Sequence, residues 1–209
     1  MHDYSIDGHP KEKILFLLAF VAIALAPKLN SWLNLLVEAI GSPYFRFSAP
    51  ISAVPVFGLF LLVFYLFNSH LWKWRSLRKL LLVPDLNGIW RCEGRGVLRG
   101  GEEVDAPWEA TITITQSWSK ISILMTGDAS GSKSVAASLH REPGIGYRLL
   151  YHYENGPKAD QIHLEKHSGS SEMLIQDSCV DAEGHYFTDQ HRRTVGTMKW
   201  RKIADEPTT

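Results

Sequence analysis

Nineteen consecutive residues, Ala49 to Phe67, carry no charge and are nearly all apolar. At helical rise they span about 28 Å, close to the roughly 30 Å hydrocarbon core of a bilayer. Such a helix needs either a large soluble core around it or lipid, and 209 residues leave little chain to wrap it. The adjoining residues favour lipid. His70-Leu71-Trp72-Lys73-Trp74-Arg75-Ser76-Leu77-Arg78-Lys79 is a basic-aromatic collar. Trp72 and Trp74 suit the headgroup level, and Lys73, Arg75, Arg78 and Lys79 supply the positive excess of a cytoplasmic flank.

A second apolar run, Ile14 to Ala26, precedes it. A cleaved signal peptide is the rival reading, because Ala24-Leu25-Ala26 has the small residues of a cleavage site. Asp3, Asp7 and Glu12 in the leader, Pro27 directly after the cut and the longer run downstream argue for an uncleaved span from Lys11 to about Leu29. Lys28 then snorkels to the far headgroups. Asn30 to Ile40 reads as an amphipathic helix that lies along the far interface or lengthens the first span at a tilt. Gly41-Ser42-Pro43 breaks it, Tyr44 to Phe47 adds an aromatic rim around Arg46, and Pro50 and Pro55 open the second span. The expected organisation is a transmembrane hairpin over residues 1–84, both ends cytoplasmic, with Met1 to Lys13 a fraying polar tail. Residues 85–209 form the soluble domain.

Charge divides the same way. Residues 1–84 hold eight Lys/Arg against four Asp/Glu, and residues 85–209 hold fourteen against eighteen. Anionic lipid would attract the first part, while the mildly acidic second part argues against DNA or RNA as partners. Cys92 and Cys179 are too few for a disulfide framework and lack metal-ligand spacing, so two thiols in a reducing compartment is the simpler reading beside a single disulfide.

From Asn87 onward the hydrophobic period changes to alternation. Strands are expected at Gly88–Leu98, Trp108–Gln116, Trp118–Thr126, Lys133–Arg141, Gly146–Glu154, Asp160–Lys166, Glu172–Cys179 and Val195–Ile203. Arg99-Gly100-Gly101, Gly127-Asp128, Glu142-Pro143-Gly144, Asn155-Gly156-Pro157, Ser168-Gly169-Ser170 and Glu183-Gly184 punctuate them. Eight short strands with hairpin links predict a closed antiparallel up-and-down β-barrel, which leaves no exposed edge; a two-sheet sandwich is the alternative. Trp108, Ala110, Ile112 and Ile114 share one face, as do Ile121, Ile123 and Met125, then Tyr147, Leu149, Tyr151 and Tyr153, then Met198 and Trp200. A barrel of this size is either filled by side chains or holds one small ligand. Gly88-Ile89-Trp90 resembles the opening of lipocalin-like barrels, in which the Trp plugs the closed end beneath a basic residue of the last strand; Arg201 or Lys199 would be that residue.

Few residues suggest chemistry. Gly94-Arg95-Gly96 with Gly100-Gly101 has the glycines of a phosphate loop but no helix after it, so strand bending explains them better. His163, Glu165 and His167 alternate on one strand face and would suit zinc, yet an exposed polar face has the same letters and no supporting partner is evident, so no metal and no cofactor are expected. No nucleophile elbow, metalloprotease helix or carboxylate pair appears, so no enzyme is expected. The surplus of Trp and Tyr remains. Much of it is core, but aromatic planes beside arginine also suit stacked bases and phosphates.

Two N-terminal membrane helices, a basic-aromatic collar and Leu86-Asn87-Gly88-Ile89-Trp90 opening an eight-stranded barrel together resemble the SMODS-associating two-transmembrane, β-strand-rich effectors of bacterial CBASS antiphage systems, also called CD-NTase-associated effectors. The resemblance implies an inner-membrane protein whose barrel senses a cyclic dinucleotide made by a partner nucleotidyltransferase. Ligand binding then drives self-association into a homo-oligomer, and the clustered helices breach the bilayer. It transfers no site residues. From this sequence, Arg95, Trp118, Tyr151, Tyr153, Arg192 and Arg193 are the expected ligand contacts; His185 and His191 cluster with the last two near the last turn, where they either meet a phosphate or solvate a loop. A membrane-tethered carrier of a lipid or other apolar ligand is the alternative, and a filled barrel serving only as an assembly platform is a third.

Overall fold

The computed structural model describes residues 1–40, 53–158, 165–190 and 192–204. The expected break at Gly41-Ser42-Pro43, the rim around Arg46, Pro50, His163 and His191 lie outside them. The chain divides into a helical unit, His9–Leu77, and a β unit built from Met1–Gly8 together with Arg78–Thr209.

In the helical unit, α1 (Lys11–Ala39) runs unbroken through Pro27 and α2 covers Ala53–Ser69. The amphipathic stretch after Leu29 therefore lengthens the first helix instead of forming a second one. Leu18, Ala22 and Ala26 are buried at four-residue spacing, a narrow stripe on which α1 and α2 pack. Away from it, Phe16, Leu17, Phe20 and Ile23 of α1 and Phe57, Leu61, Leu62 and Tyr65 of α2 are exposed. Side chains of that size left bare over two helices are what lipid covers. A 3-10 turn at Leu71–Lys73 and a short α3 (Arg75–Leu81) follow.

The β unit has nine strands: β1 (His2–Ile6), β2 (Gly88–Arg99), β3 (Glu102–Gln116), β4 (Lys120–Thr126), β5 (Ser130–Glu142), β6 (Gly146–Pro157), β7 (His167–Gln176), β8 (Asp181–Thr188) and β9 (Thr194–Ala204). They close into a ring in the order β1-β4-β3-β2-β9-β8-β7-β6-β5. Strands β2 to β9 are antiparallel neighbours throughout, which excludes the two-sheet sandwich.

Several expectations need correction: the ring has nine strands where eight were expected, and Asn155-Gly156-Pro157 ends β6 instead of forming a turn. The polar N-terminus does not fray: β1 pairs antiparallel with β4 at His2–Ile121 and parallel with β5 at Tyr4–Ala137, filling the seam where β4 and β5 part. Tyr4 is buried and Ile6 packs against the same core, which pins so short a segment. The strand expected at Asp160–Lys166 is not found at Glu165 and Lys166, and the rest of it lies outside the described residues. Ser168-Gly169-Ser170 and Glu183-Gly184 lie inside β7 and β8 instead of in turns. These glycines mark close approach: a Cβ at Gly184 would collide with the Glu172 carbonyl across the ladder. The real reversal is at Asp177–Val180, where Cys179 takes a positive φ and its N–H donates to the Gln176 carbonyl at 2.9 Å.

One end of the ring is filled. Trp90, Trp200, Leu86, Ile112, Ile114, Ile121, Met173 and Ile175 are buried there, and the Trp90 indole N–H donates to the Leu86 carbonyl at 3.1 Å. The cation beside Trp90 is Lys202, 5.9 Å from the ring centroid, because a register shift after Ile89 pairs Trp90 with Lys202. Arg201 and Lys199 face outward, Arg201 in an ion pair with Asp181 at 2.9 Å. Cys92 and Cys179 are free thiols, and burial pushes the Cys92 thiol up to about 12, so it stays protonated and inert.

Candidate ligand-binding site

The opposite end of the ring is open. A cavity of about 460 Å³ is bounded there by the end of β2, the first half of β3, the β4–β5 turn, the end of β6 and the facing ends of β7, β8 and β9. Alternation places its walls: inward positions on β3, β6 and β8 carry Trp108, Tyr151, Tyr153 and Tyr186. Tyr151 is the floor, with its ring 6.0 Å from Trp200 below and 6.0 Å from Tyr153 above. On the facing wall, Trp108 meets Tyr186 edge-on at 5.7 Å and donates its indole N–H to the Tyr186 hydroxyl at 3.1 Å. Burial raises the pKa of Tyr151, Tyr153 and Tyr186, so all three remain neutral phenols that can donate a hydrogen bond.

Charge at the mouth is one-sided. On the ring, Arg91, Arg95, Arg148 and Arg201 each pair with a carboxylate on the outer wall, and Arg141 pairs with Asp177. Among the described residues, Arg99, Arg192 and Arg193 have no carboxylate within ion-pair distance, and all three sit at the open end. The turns that carry them are tied together by the Gly100 N–H donating to the Arg193 carbonyl at 3.0 Å. Arg192 Nη1 stands 3.2 Å from His167 Nε2. Burial, and then Arg192, hold His167 below its usual pKa, so the mouth carries a neutral imidazole beside an arginine that has no carboxylate partner. Asp128, Ser130, Ser132 and Asn155 line the other side and offer acceptors and donors.

Of the six residues expected from sequence, Tyr151, Tyr153 and Arg192 line this cavity. Arg193 is in the same rim turn, exposed, with its guanidinium donating to the Gln190 carbonyl at 3.1 Å. Arg95 lies on the outer face of β2, paired with Asp105 at 3.1 Å. Trp118 is buried in the β3–β4 connection at the filled end. His185 is on the outer face of β8, 3.8 Å from Glu172. Strand parity separates Arg95 from the cavity, since Gly94 and Gly96 take the inward positions. Sequence reasoning missed Arg99 and did not single out Trp108 and Tyr186, which only strand pairing brings to one wall. His167, weighed as a zinc donor and set aside, meets Arg192, and among the described residues no cluster suits a metal.

A pair of helices of membrane-spanning length carrying a closed β domain with an aromatic, cation-rimmed cavity is the build of a membrane-anchored receptor. Residues 81–202 match the family described as Cap15, cyclic dinucleotide receptor domain, and residues 12–73 match Cap15, TM helices. CD-NTase-associated protein 15 of Yersinia aleksiciae is 36% identical over 186 residues, covering 89% of this chain and 86% of that protein. The chain belongs to the Cap15 family, and the resemblance drawn from its architecture holds.

Proposed function

We propose that this chain is a non-enzymatic membrane effector of antiphage defence, in which the open end of the ring binds a cyclic dinucleotide released by a partner nucleotidyltransferase. The observation that carries this is the convergence of four aromatic rings and two arginines without a carboxylate partner, Arg99 and Arg192, on one cavity. Bases stack on aromatic planes at about 1–3 kcal/mol each, and arginine meets phosphate in a bidentate fork. A lipid carrier would want a dry aliphatic mouth, and this one is polar, with Arg99 and Arg192 on one side and Asp128, Ser130 and Asn155 on the other.

The ring unit contains chain from before α1 and from after α3. Two crossings return the chain to it, which supports both termini on one side; the basic collar puts that side in the cytoplasm of a bacterial inner membrane. A ligand that binds an assembled form more tightly than the single chain shifts the population toward a homo-oligomer, and clustering of the hairpins then disrupts the bilayer.

The test is titration of the full-length chain in detergent with cyclic dinucleotides, following heat and sedimentation together, then dye release from liposomes that contain it. Binding, growth in size and ligand-dependent release are expected. No binding by any cyclic dinucleotide refutes the reading, and a chain that stays in water without detergent removes the anchor.

A further inference from the structure

Each wall aromatic of the cavity is paired across the ladder with a glycine: Trp108 with Gly94, Tyr153 with Gly169 and Tyr186 with Gly196. The three glycines are not equivalent. A Cβ at Gly169 would meet the Phe187 carbonyl as well as Tyr153, and one at Gly196 would meet the Arg95 carbonyl as well as Tyr186. Backbone approach alone requires glycine at both. At Gly94 the nearest atoms are all of the Trp108 indole: Cε2, Cζ2 and Cδ2. Its φ is not in the left-handed region, so the backbone there suits any residue. The closest clashes at this position are with the indole and not with backbone.

With no side chain beneath it, the indole lies against the β2 wall, held by its hydrogen bond to Tyr186. A methyl group at position 94 would lift it off the wall, and the space it would enter is the cavity. A ring laid on the wall also leaves its other face as a platform for offset stacking.

We propose that Gly94 is a specificity-determining residue: by letting Trp108 lie flat, it opens the width that a bicyclic purine base needs in the cavity. This rests on the cyclic dinucleotide reading above and adds the base class to it. A lifted indole takes its space from the larger base first, so selectivity changes along with affinity.

The experiment measures binding of a cyclic dipurine and a cyclic dipyrimidine dinucleotide to the full-length wild type, Gly94→Ala, Trp108→Phe and the double variant. The wild type is expected to bind the dipurine. Gly94→Ala should weaken dipurine binding at least tenfold and dipyrimidine binding less than threefold. In the Trp108→Phe background, where the smaller ring leaves room for the methyl, adding Gly94→Ala should cost less than threefold. Equal losses for both ligands, no loss, an uncoupled double variant, or a wild type that takes only the dipyrimidine would overturn the inference. A double variant that fails to fold would overturn it too, because glycine would then be needed for more than the indole. A wild type that binds neither ligand sinks the functional reading instead.

Discussion

Tyr4 and Gln116 are 112 residues apart in sequence and joined by a buried hydrogen bond, the Gln116 amide donating to the Tyr4 hydroxyl at 3.0 Å. The same glutamine accepts the Leu86 N–H at 2.8 Å, and its own N–H donates to Asn87 Oδ1 at 2.6 Å. Gln116 therefore binds the strand that leads into the membrane helices to the strand that returns from them. Desolvation pushes the Tyr4 hydroxyl up to about 12, so it stays protonated here.

Replacing Gln116 with Ala strands the buried Leu86 N–H and removes the amide that donates to the Tyr4 hydroxyl, which keeps its own bond to the Ser117 carbonyl at 3.4 Å. A cost of about 1–3 kcal/mol for the stranded group is expected, read as a lowered thermal midpoint of the full-length chain in detergent. Proteolysis after Ile6 should accelerate as β1 loosens. An unchanged midpoint would show that this junction holds nothing.

Arg192→Ala removes an unpaired mouth cation and should weaken ligand binding roughly 10- to 100-fold, the equivalent of one charge-assisted contact of about 1.5–3 kcal/mol. Arg95→Ala removes only a surface pair with Asp105 and should leave affinity within about twofold. Isothermal titration of both variants distinguishes a mouth site from an outer-wall site.

The pH dependence follows from His167, whose pKa is lowered by burial and by Arg192, with Asp189 and the Glu165 carbonyl pulling the other way. Unfolded, it titrates near 6.5, so between its depressed folded value and 6.5 the unfolded chain holds more protons. Stability must fall as pH drops through that window, and His167→Gln should lessen the fall. A phosphate at Arg192 should raise the pKa of His167, so binding should take up protons in the window between the depressed value of the free protein and the raised value of the complex. Titrations in buffers of different ionisation enthalpy would measure that uptake.

Gly184→Ala forces a methyl into the Glu172 carbonyl in mid-ladder. A loss of roughly 1–3 kcal/mol is expected, as for other overpacked sites. Equilibrium denaturation that finds no change would mean β7 and β8 are not paired as described.

Several features were legible because they depend only on local pattern. Apolar runs matched to bilayer thickness gave the two helices, and period-two alternation gave the inward faces that hold Trp108, Tyr151, Tyr153 and Met198. Gly-rich turns at Gly100-Gly101 and Gly144 were readable for the same reason: their positive φ is a property of a few adjacent residues. What failed was whatever depends on a partner strand. Gly169 and Gly184 look like turn residues until the carbonyl opposite each is known, and Arg95 looks like a pocket cation until parity turns it outward.

Length, hydropathy and alternation by themselves determined that this chain has a membrane hairpin and a β domain, because burial in lipid or in a core acts on each segment separately. Tertiary structure alone decided that the first eight residues join the ring, that Arg99 and Arg192 meet at one mouth and that Trp108 rests on Gly94. Those outcomes depend on strand order and register, which are set by contacts between residues far apart in the chain.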